Sequence, residues 1–303
     1  MSASETALPL RIGARTVWTL RRRLARRRLT LEEALAGEAP RLAPLGLQED
    51  GYMLTALPAA LAQAVGRDHP DLAPFVRQSY VRSYARLDIG YDEYFGTFSA
   101  KSRSTLKRKV KKLAERSGGA LDVRSYRSEA EIEAFHGLAR AVSARTYQEK
   151  RLDAGLPAGP EAIATMRALA RRGQARGWLL FVDHQPVSYL YAPAEGGTLI
   201  YAFLGYDPEF AAFSPGTVLQ LEAMRQLMDE GDFCLFDFTE GEGQHKRQFA
   251  TGGVDCVDLL LVRRTAANLA VGHALNGFDA AVALAKKTAT AIGAEAALRR
   301  LRR

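Results

Sequence analysis

The chain has 303 residues, 47% of them apolar and 25% charged, with a formal charge of +8. That length suits two domains better than one, and the apolar fraction builds a core without disulfide staples. Two cysteines, no Cys/His spacing of zinc type and no run of 18 apolar residues argue against a disulfide scaffold, a structural metal and a membrane span. No apolar segment follows the first positive charges, so no standard secretory signal is read. The expected location is cytoplasmic, with the inner face of the membrane as a peripheral station.

Charge is unevenly spread. Residues 1–30 carry eight Arg and one Glu, residues 101–112 seven Lys or Arg and no acid, and residues 286–303 six basic residues and one Glu. Such patches point to an anionic partner, tRNA or a membrane surface, at segments 11–28 and 101–112. The bland alternative for 101–112 is a solvated helix face.

In chain order, residues 15–36 read as an Arg-rich helix with loosely spaced Trp18, Leu20, Leu24 and Leu31. Residues 52–58 read as a strand, Pro58 opens a short helix to Val65, and 75–90 reads as a long or broken strand. Residues 99–116 are a helix whose Leu106, Val110 and Leu113 form one apolar stripe. Ser102 or Ser104 caps it and Gly118-Gly119 stops it. A strand at 120–127 and helices at 128–149 and 160–173 follow. Strands are expected at 178–182, 187–192 and 198–204, joined by hairpin-like turns at 183–186 and 195–197. A helix at 216–230, an apolar strand at 233–240, a short helix at 244–249, a strand at 254–262 and a helix at 264–303 complete the chain. Cys234 and Cys256 lie in apolar runs and read as buried hydrophobes.

The strongest local signal is a strand ending near Leu204, then Ser214, Gly216 and Thr217 opening a helix. A helix start exposes orphan N–H groups and the positive end of a dipole, which suits a pyrophosphate. In this setting YDPEFAAFSPGTVLQL resembles the acyl-CoA-binding segment of the GNAT acyltransferases through Pro208, Phe210, Gly216 and Leu219. Ala211 and Ser214 stand where that family has an Arg or Gln and a first Gly.

Ser214, Pro215 and Gly216, then Gly231, Asp237, Phe238, Gly241, Lys246 and Phe249, resemble the CelD-type acetyltransferases associated with polysaccharide synthesis, with His245 in place of their Tyr. The basic stretch before Leu113 looks like that subgroup's Ser-Lys-x-Arg helix. The arrangement is also similar to the Fem-type peptidyltransferases, which pair two GNAT-like domains and use aminoacyl-tRNA. The resemblance implies an α/β (α+β) fold, a GNAT-like mixed sheet flanked by helices. It also implies a reduced GNAT-like half over 1–115, an acyltransferase domain over 116–265 and a helical extension over 266–303. Acyl-CoA, acetyl-CoA first, is the implied co-substrate, with no metal. The donor site would run from about Leu199 to Phe249, through Phe203, Leu204, Ser214, Gly216, Thr217 and Lys246. The 198–204 and 233–240 strands would splay apart to admit the acyl-pantetheine arm.

His245 is the leading candidate for proton transfer, since histidine titrates near neutral pH. Asp237 and Glu240, after an apolar strand, could orient or deprotonate an acceptor, or serve as a cap or an ion pair. His136 reads as a packed histidine, and His69, His184 and His273 show no partner. Tyr189, Tyr191, Tyr201, Phe203 and Tyr206 alternate as core, with one or two facing an acceptor groove. Arg145 and Tyr147 stand where the subgroup places acceptor-side residues. An aminoacyl-tRNA-dependent transferase and a non-catalytic binding protein are the alternatives.

Overall fold

A computed structural model describes residues 4–13, 15–146, 155–241 and 243–291, with the backbone alone for Ser4, Gln244, His245, Lys286, Lys287 and residues 289–291. Tyr147, Glu242 and the basic residues beyond 291 lie outside the described residues. The chain divides into two compact units, residues 1–81 with 254–303, and residues 82–253.

In the first unit the strand order is β1 (Ser4–Ile12), β2 (Arg15–Arg28), β3 (Gly51–Pro58), β11 (Gly252–Arg263) and β4 (Leu72–Arg86). The Arg-rich helix expected over 15–36 is therefore a strand, followed by the short helix α1 (Leu31–Ala36). The reason is visible in the pairing. Trp18, Leu20 and Leu24 stand two or four residues apart and face Leu10, Leu8 and Ser4 across an antiparallel ladder. Their period is two, that of a strand. Thr30 and Glu33 then form a capping box that starts α1. β3 and β11 alternate between two apolar faces. Tyr52, Leu54, Val257, Leu259 and Leu261 pack with Val65 of α2 (Ala62–Asp68), while Met53, Leu260 and Val262 pack with Val271 and Leu275 of the C-terminal helix at Ala266–Ala291.

The second unit carries the order β4-β10-β8-β7-β6-β5, with β9 also on β7. Its strands are β5 (Asp122–Tyr126), β6 (Ala175–Val182), β7 (Gln185–Glu195), β8 (Thr198–Ile200), β9 (Phe203–Tyr206) and β10 (Leu235–Asp237). β6 and β7 join through Asp183 and His184, both at positive φ (50° and 63°), the two-residue turn that matches strand twist. Trp178, Leu180 and Val182 face one side, with Leu106 and Leu113 of α4 (Ala100–Arg116) and Val218 and Leu219 of a helix at Pro215–Glu230. Leu179 and Phe181 face the other, with Ile132, Phe135 and Ala139 of α5 (Glu129–Ser143) and Met166 of α6 (Pro160–Arg171). α3 (Tyr91–Gly96) precedes α4. The remaining helices are α7 (Pro215–Glu230), α8 (Gln244–Phe249) and α9 (Ala266–Ala291). The fold is the expected mixed sheet flanked by helices.

Three details correct the sequence reading. Ser99, rather than Ser102 or Ser104, caps α4: its hydroxyl accepts the Ser102 N–H at 3.2 Å, because the helix begins at Ala100. The strand expected over 233–240 is only Leu235–Asp237, so Cys234 precedes it and is exposed, whereas Cys256 on β11 is buried as expected. The strand expected over 198–204 is two strands, broken at Tyr201-Ala202, and that break builds the candidate site.

Candidate active site

β8 and β10 run parallel for three rungs, Thr198 with Leu235, Leu199 with Phe236 and Ile200 with Asp237. One more bond closes the ladder, from the Tyr201 N–H to the Asp237 carbonyl at 2.9 Å. Then the two chains part. β9 lies against β7, Phe203 opposite Tyr191 and Leu204 opposite Leu190. Phe238 instead donates its N–H to the Ser83 carbonyl at 3.0 Å. Backbone groups between the diverging chains are freed from the ladder, and Phe203 and Leu204 stand half-buried at one lip. At the point of parting, the Tyr201 ring packs on Phe236 and Phe238, with centroids 6.2 and 5.9 Å away. Burial pushes the Tyr201 phenol well above its ordinary range. At neutral pH it is a proton donor and no base.

After β9 comes a turn at Asp207. Its carboxylate caps the six-residue 3-10 helix Pro208–Phe213 through the Glu209 N–H and pairs with Arg145 at 2.8 Å. Ser214 then adopts the left-handed conformation (φ 53°, ψ 49°), and Pro215 occupies the first helical position of α7. Gly216 lies where α7 meets β9. A Cβ there would come within 2.9 Å of the Leu204 side chain and 3.4 Å of the Tyr206 ring. The glycine is thus needed for close packing of helix on strand. Thr217 donates its N–H to the Ser214 carbonyl at 3.0 Å, so it is engaged locally. Lys112 of α4 reaches the same turn, donating to the Ala212 carbonyl at 3.2 Å and lying 5.0 Å from the Phe213 ring centre. Part of the basic face of α4 is therefore directed at the start of α7.

On the other lip, Asp237 is fully buried. Arg82 holds it with both Nε (3.2 Å to each oxygen) and Nη2 (2.6 Å), and the Thr239 N–H donates to its Oδ1 at 2.7 Å. A carboxylate so engaged positions the turn that follows. Thr239 and Gly241 both have positive φ (61° and 105°), which folds the chain tightly back to α8. Lys246 of α8 donates to the Glu240 carbonyl at 2.5 Å and to the Thr239 hydroxyl at 3.4 Å. The Glu240 side chain is exposed. His245 is the second residue of α8, beside Lys246, and its side chain lies outside the described residues.

Burial lowers the pKa of Lys246, partly opposed by the charges of Asp237 and Glu240. Its amine should accordingly lose its proton below the ordinary lysine value. Competitive acetic anhydride labelling, read by mass spectrometry as a function of pH and normalised to its own plateau, should place its midpoint there. A midpoint at the ordinary value would show the amine fully hydrated. Linked stability has the same sign: between the two values the unfolded chain holds more protons, so this group's contribution rises with pH across that window.

The other histidines are not brought to this place. His136 is buried on α5 with its Nε2 2.8 Å from the Pro157 carbonyl, a packed histidine as expected. His184 sits in the β6–β7 turn, His69 lies near Tyr52 and His273 against Phe75. Tyr189 bonds to Ser143, and burial pushes Tyr191 up to about 12. Arg82 and Asp207 were missed in the sequence. Arg82 carried a faint signal, as a basic residue at an inward position of an alternating strand. Among the described residues no His, Cys, Asp and Glu group is placed to hold a metal. No helix among them is long and apolar enough to cross a membrane.

Parted parallel strands beside a helix that begins just after one of them are the frame in which the comparisons fall. Residues 100–247 match the family described as acetyltransferase (GNAT) domain. Among solved structures, the crystal structure of FemX shares the fold with a TM-score of 0.52 at 11% identity, over 71% of this chain and 72% of that one. L-PGS from Bacillus licheniformis aligns with a TM-score of 0.45 at 15% identity, over 73% and 72%. A GCN5-related N-acetyltransferase from Kribbella flavida aligns at 0.35 and 14%, over 71% and 69%. No curated protein matches the chain by sequence.

Proposed function

We propose that the chain transfers an acetyl or other acyl group from acyl-CoA to an amine or hydroxyl of a sugar or cell-envelope precursor, as a CelD-type acetyltransferase would. The observation that carries this reading is the parting of β9 from β10 after a three-rung parallel ladder. An extended acyl-pantetheine arm can take the place of the missing strand partner, since the freed backbone groups need hydrogen bonds. The donor's phosphates would meet the start of α7, where Ser214, Gly216 and Thr217 present the positive end of a 16-residue helix. Lys112 adds positive charge beside that turn, and Lys246 is the cation at the end of β10. These residues fit a pyrophosphate, even though the Thr217 N–H must leave the Ser214 carbonyl or share with it.

Acyl transfer requires an acceptor relieved of its proton and a leaving thiolate that gains one. Tyr201, kept protonated by burial, can donate a hydrogen bond to the departing sulfur, while the proton the sulfur gains is the one taken from the acceptor. His245 is the assigned acid–base group for the acceptor. Asp237, held by Arg82, fixes the turn that carries Glu240 and leads to α8.

Thr217→Glu separates binding from folding. A carboxylate in the first turn of α7 favours the helix by about 0.3–1 kcal/mol. About 5 Å from a phosphate charge, it costs roughly 1–3 kcal/mol, or about 5- to 150-fold in affinity. Calorimetry with acetyl-CoA should show that loss with an unchanged or raised Tm. Undiminished affinity would remove the phosphates from this helix. A wild-type chain that ignores acetyl-CoA yet binds tRNA in a salt-sensitive way would be an aminoacyl-tRNA-dependent transferase instead. One that binds neither would be a non-catalytic relative.

A further inference from the structure

The first unit carries an arm that acyl transfer does not use. β1 and β2 pair from Ser4 with Leu24 to Ile12 with Arg15, whereas β3 joins β2 only from Leu24 onward. Among the described residues, Arg15–Arg22 therefore has β1 as its only strand partner, and the other edge is first met at Arg23, whose N–H donates to the Asp50 carboxylate and whose carbonyl accepts the Asp50 N–H. The eight residues of two-stranded ribbon from Arg15 to Arg22 reach about 26 Å at ~3.3 Å per residue.

The root of the ribbon is anchored. Thr6, Leu8 and Leu24 are buried, and Arg22 donates to the Asn268 side chain at 2.9 Å and the Ala267 carbonyl at 3.1 Å, both on α9. Burial then fades outward. Leu10, Ile12 and Leu20 are half-buried, while Val17 is 51% and Trp18 65% exposed. A bulge at Leu10/Arg11 breaks the register beside Val17. Bulges turn side chains out of the regular alternation.

Charge completes the picture. Residues 4–28 hold eight arginines and one acid, Glu5, which is paired with Arg21. Arg22 is held by α9, and Arg23 bonds to Gln48. Arg11 and Arg15, nearest the turn, have no side-chain partner among the described residues.

We propose that this arm docks the protein on an anionic phospholipid bilayer. Trp18 and Val17 would enter the interfacial region while Arg11 and Arg15 meet lipid phosphates. The chemistry favours lipid over nucleic acid. A single-stranded nucleic acid is held by several aromatic rings that stack on successive bases. Here one indole is accompanied by valine, isoleucine and leucine, which do not stack but partition into acyl chains. Indole prefers the membrane interface, and arginine stems can lie along apolar surface with the guanidinium in the headgroups. The inference is independent of which acyl group the second unit transfers.

The full chain should co-sediment with vesicles of phosphatidylcholine containing about one-third phosphatidylglycerol and leave pure phosphatidylcholine vesicles in the supernatant. About 0.5 M salt should release it, because it shortens the Debye length to a few ångströms. Trp178, the other tryptophan, is 1% exposed, so a blue shift and loss of acrylamide quenching on binding report Trp18. Trp18→Ala should abolish both optical changes and weaken sedimentation. Arg11→Ala with Arg15→Ala should weaken it on the order of 30-fold, at about fivefold per arginine. These positions are exposed, so the variants should fold. Equal binding to both vesicle types, or unaltered binding by both variants, would overturn the proposal. So would protection of Trp18 by single-stranded RNA with none by vesicles.

Discussion

Replacing Asp237 with alanine should destabilise the protein by about 3–5 kcal/mol, the cost of breaking a buried ion pair by removing one partner. The side chains of Arg82 and Asp237 are 2% and 0% exposed. Once the carboxylate is gone, the guanidinium loses the partner that both its Nε and Nη2 hold, and the Thr239 N–H loses its acceptor as well. The double replacement Arg82→Met with Asp237→Leu should cost much less, because no charge is left to desolvate and the volume is largely refilled. Urea unfolding of the wild type, Arg82→Met, Asp237→Leu and the double variant measures the coupling. A loss below about 1 kcal/mol in Asp237→Ala would mean that the pair is hydrated and behaves like a surface ion pair.

Replacing His245 with alanine should lower kcat by about 10²–10⁴-fold, the usual contribution of a positioned acid or base. Donor affinity should change little, since the phosphates are assigned to the start of α7. His245→Tyr sharpens the result. A phenol of pKa about 10 is almost wholly protonated at neutral pH. If the role is to protonate a thiolate, Tyr should keep more activity than Ala. If the role is to deprotonate the acceptor, Tyr should fail as badly. Steady-state kinetics with acetyl-CoA distinguishes these cases. Full activity in the Ala variant would route the proton through Tyr201 or water.

Long elements with one clear period were legible from sequence. α4 shows its apolar stripe and α7 its Pro-Gly start. β6 and β7 alternate cleanly, because their residues are sorted between two cores by a period of two. The Arg-rich start was not legible as a strand. Trp18, Leu20 and Leu24 fall at even positions, but the arginines between them obscure the alternation, and charge-rich runs read as helix by propensity. The break at Tyr201 was also hidden. Thr198 to Leu204 is one apolar run, and only topology divides it, β8 lying between β7 and β10 while β9 pairs with β7 alone. Of the site, the helix start and the turn around Asp237 could be located from residue types. The partner of Asp237 could not, since Arg82 is 155 residues away in sequence and pairs with it only because β4 and β10 are neighbours. Tyr201 looked like one more core aromatic, and its place at the fork comes from topology alone.

The opposite exposures of the two cysteines give the molecule a built-in pair of clocks. Cys234, in the second unit, is open to a thiol reagent, while Cys256, in the first, is 1% exposed on β11. Modification of Cys234 runs at the rate of the reagent itself. Modification of Cys256 waits for β11 to leave its neighbours, and its pace is set by the free energy of that opening. A single time course of alkylation, resolved by peptide mass, thus times the loosening of the first unit against an internal standard carried by the second.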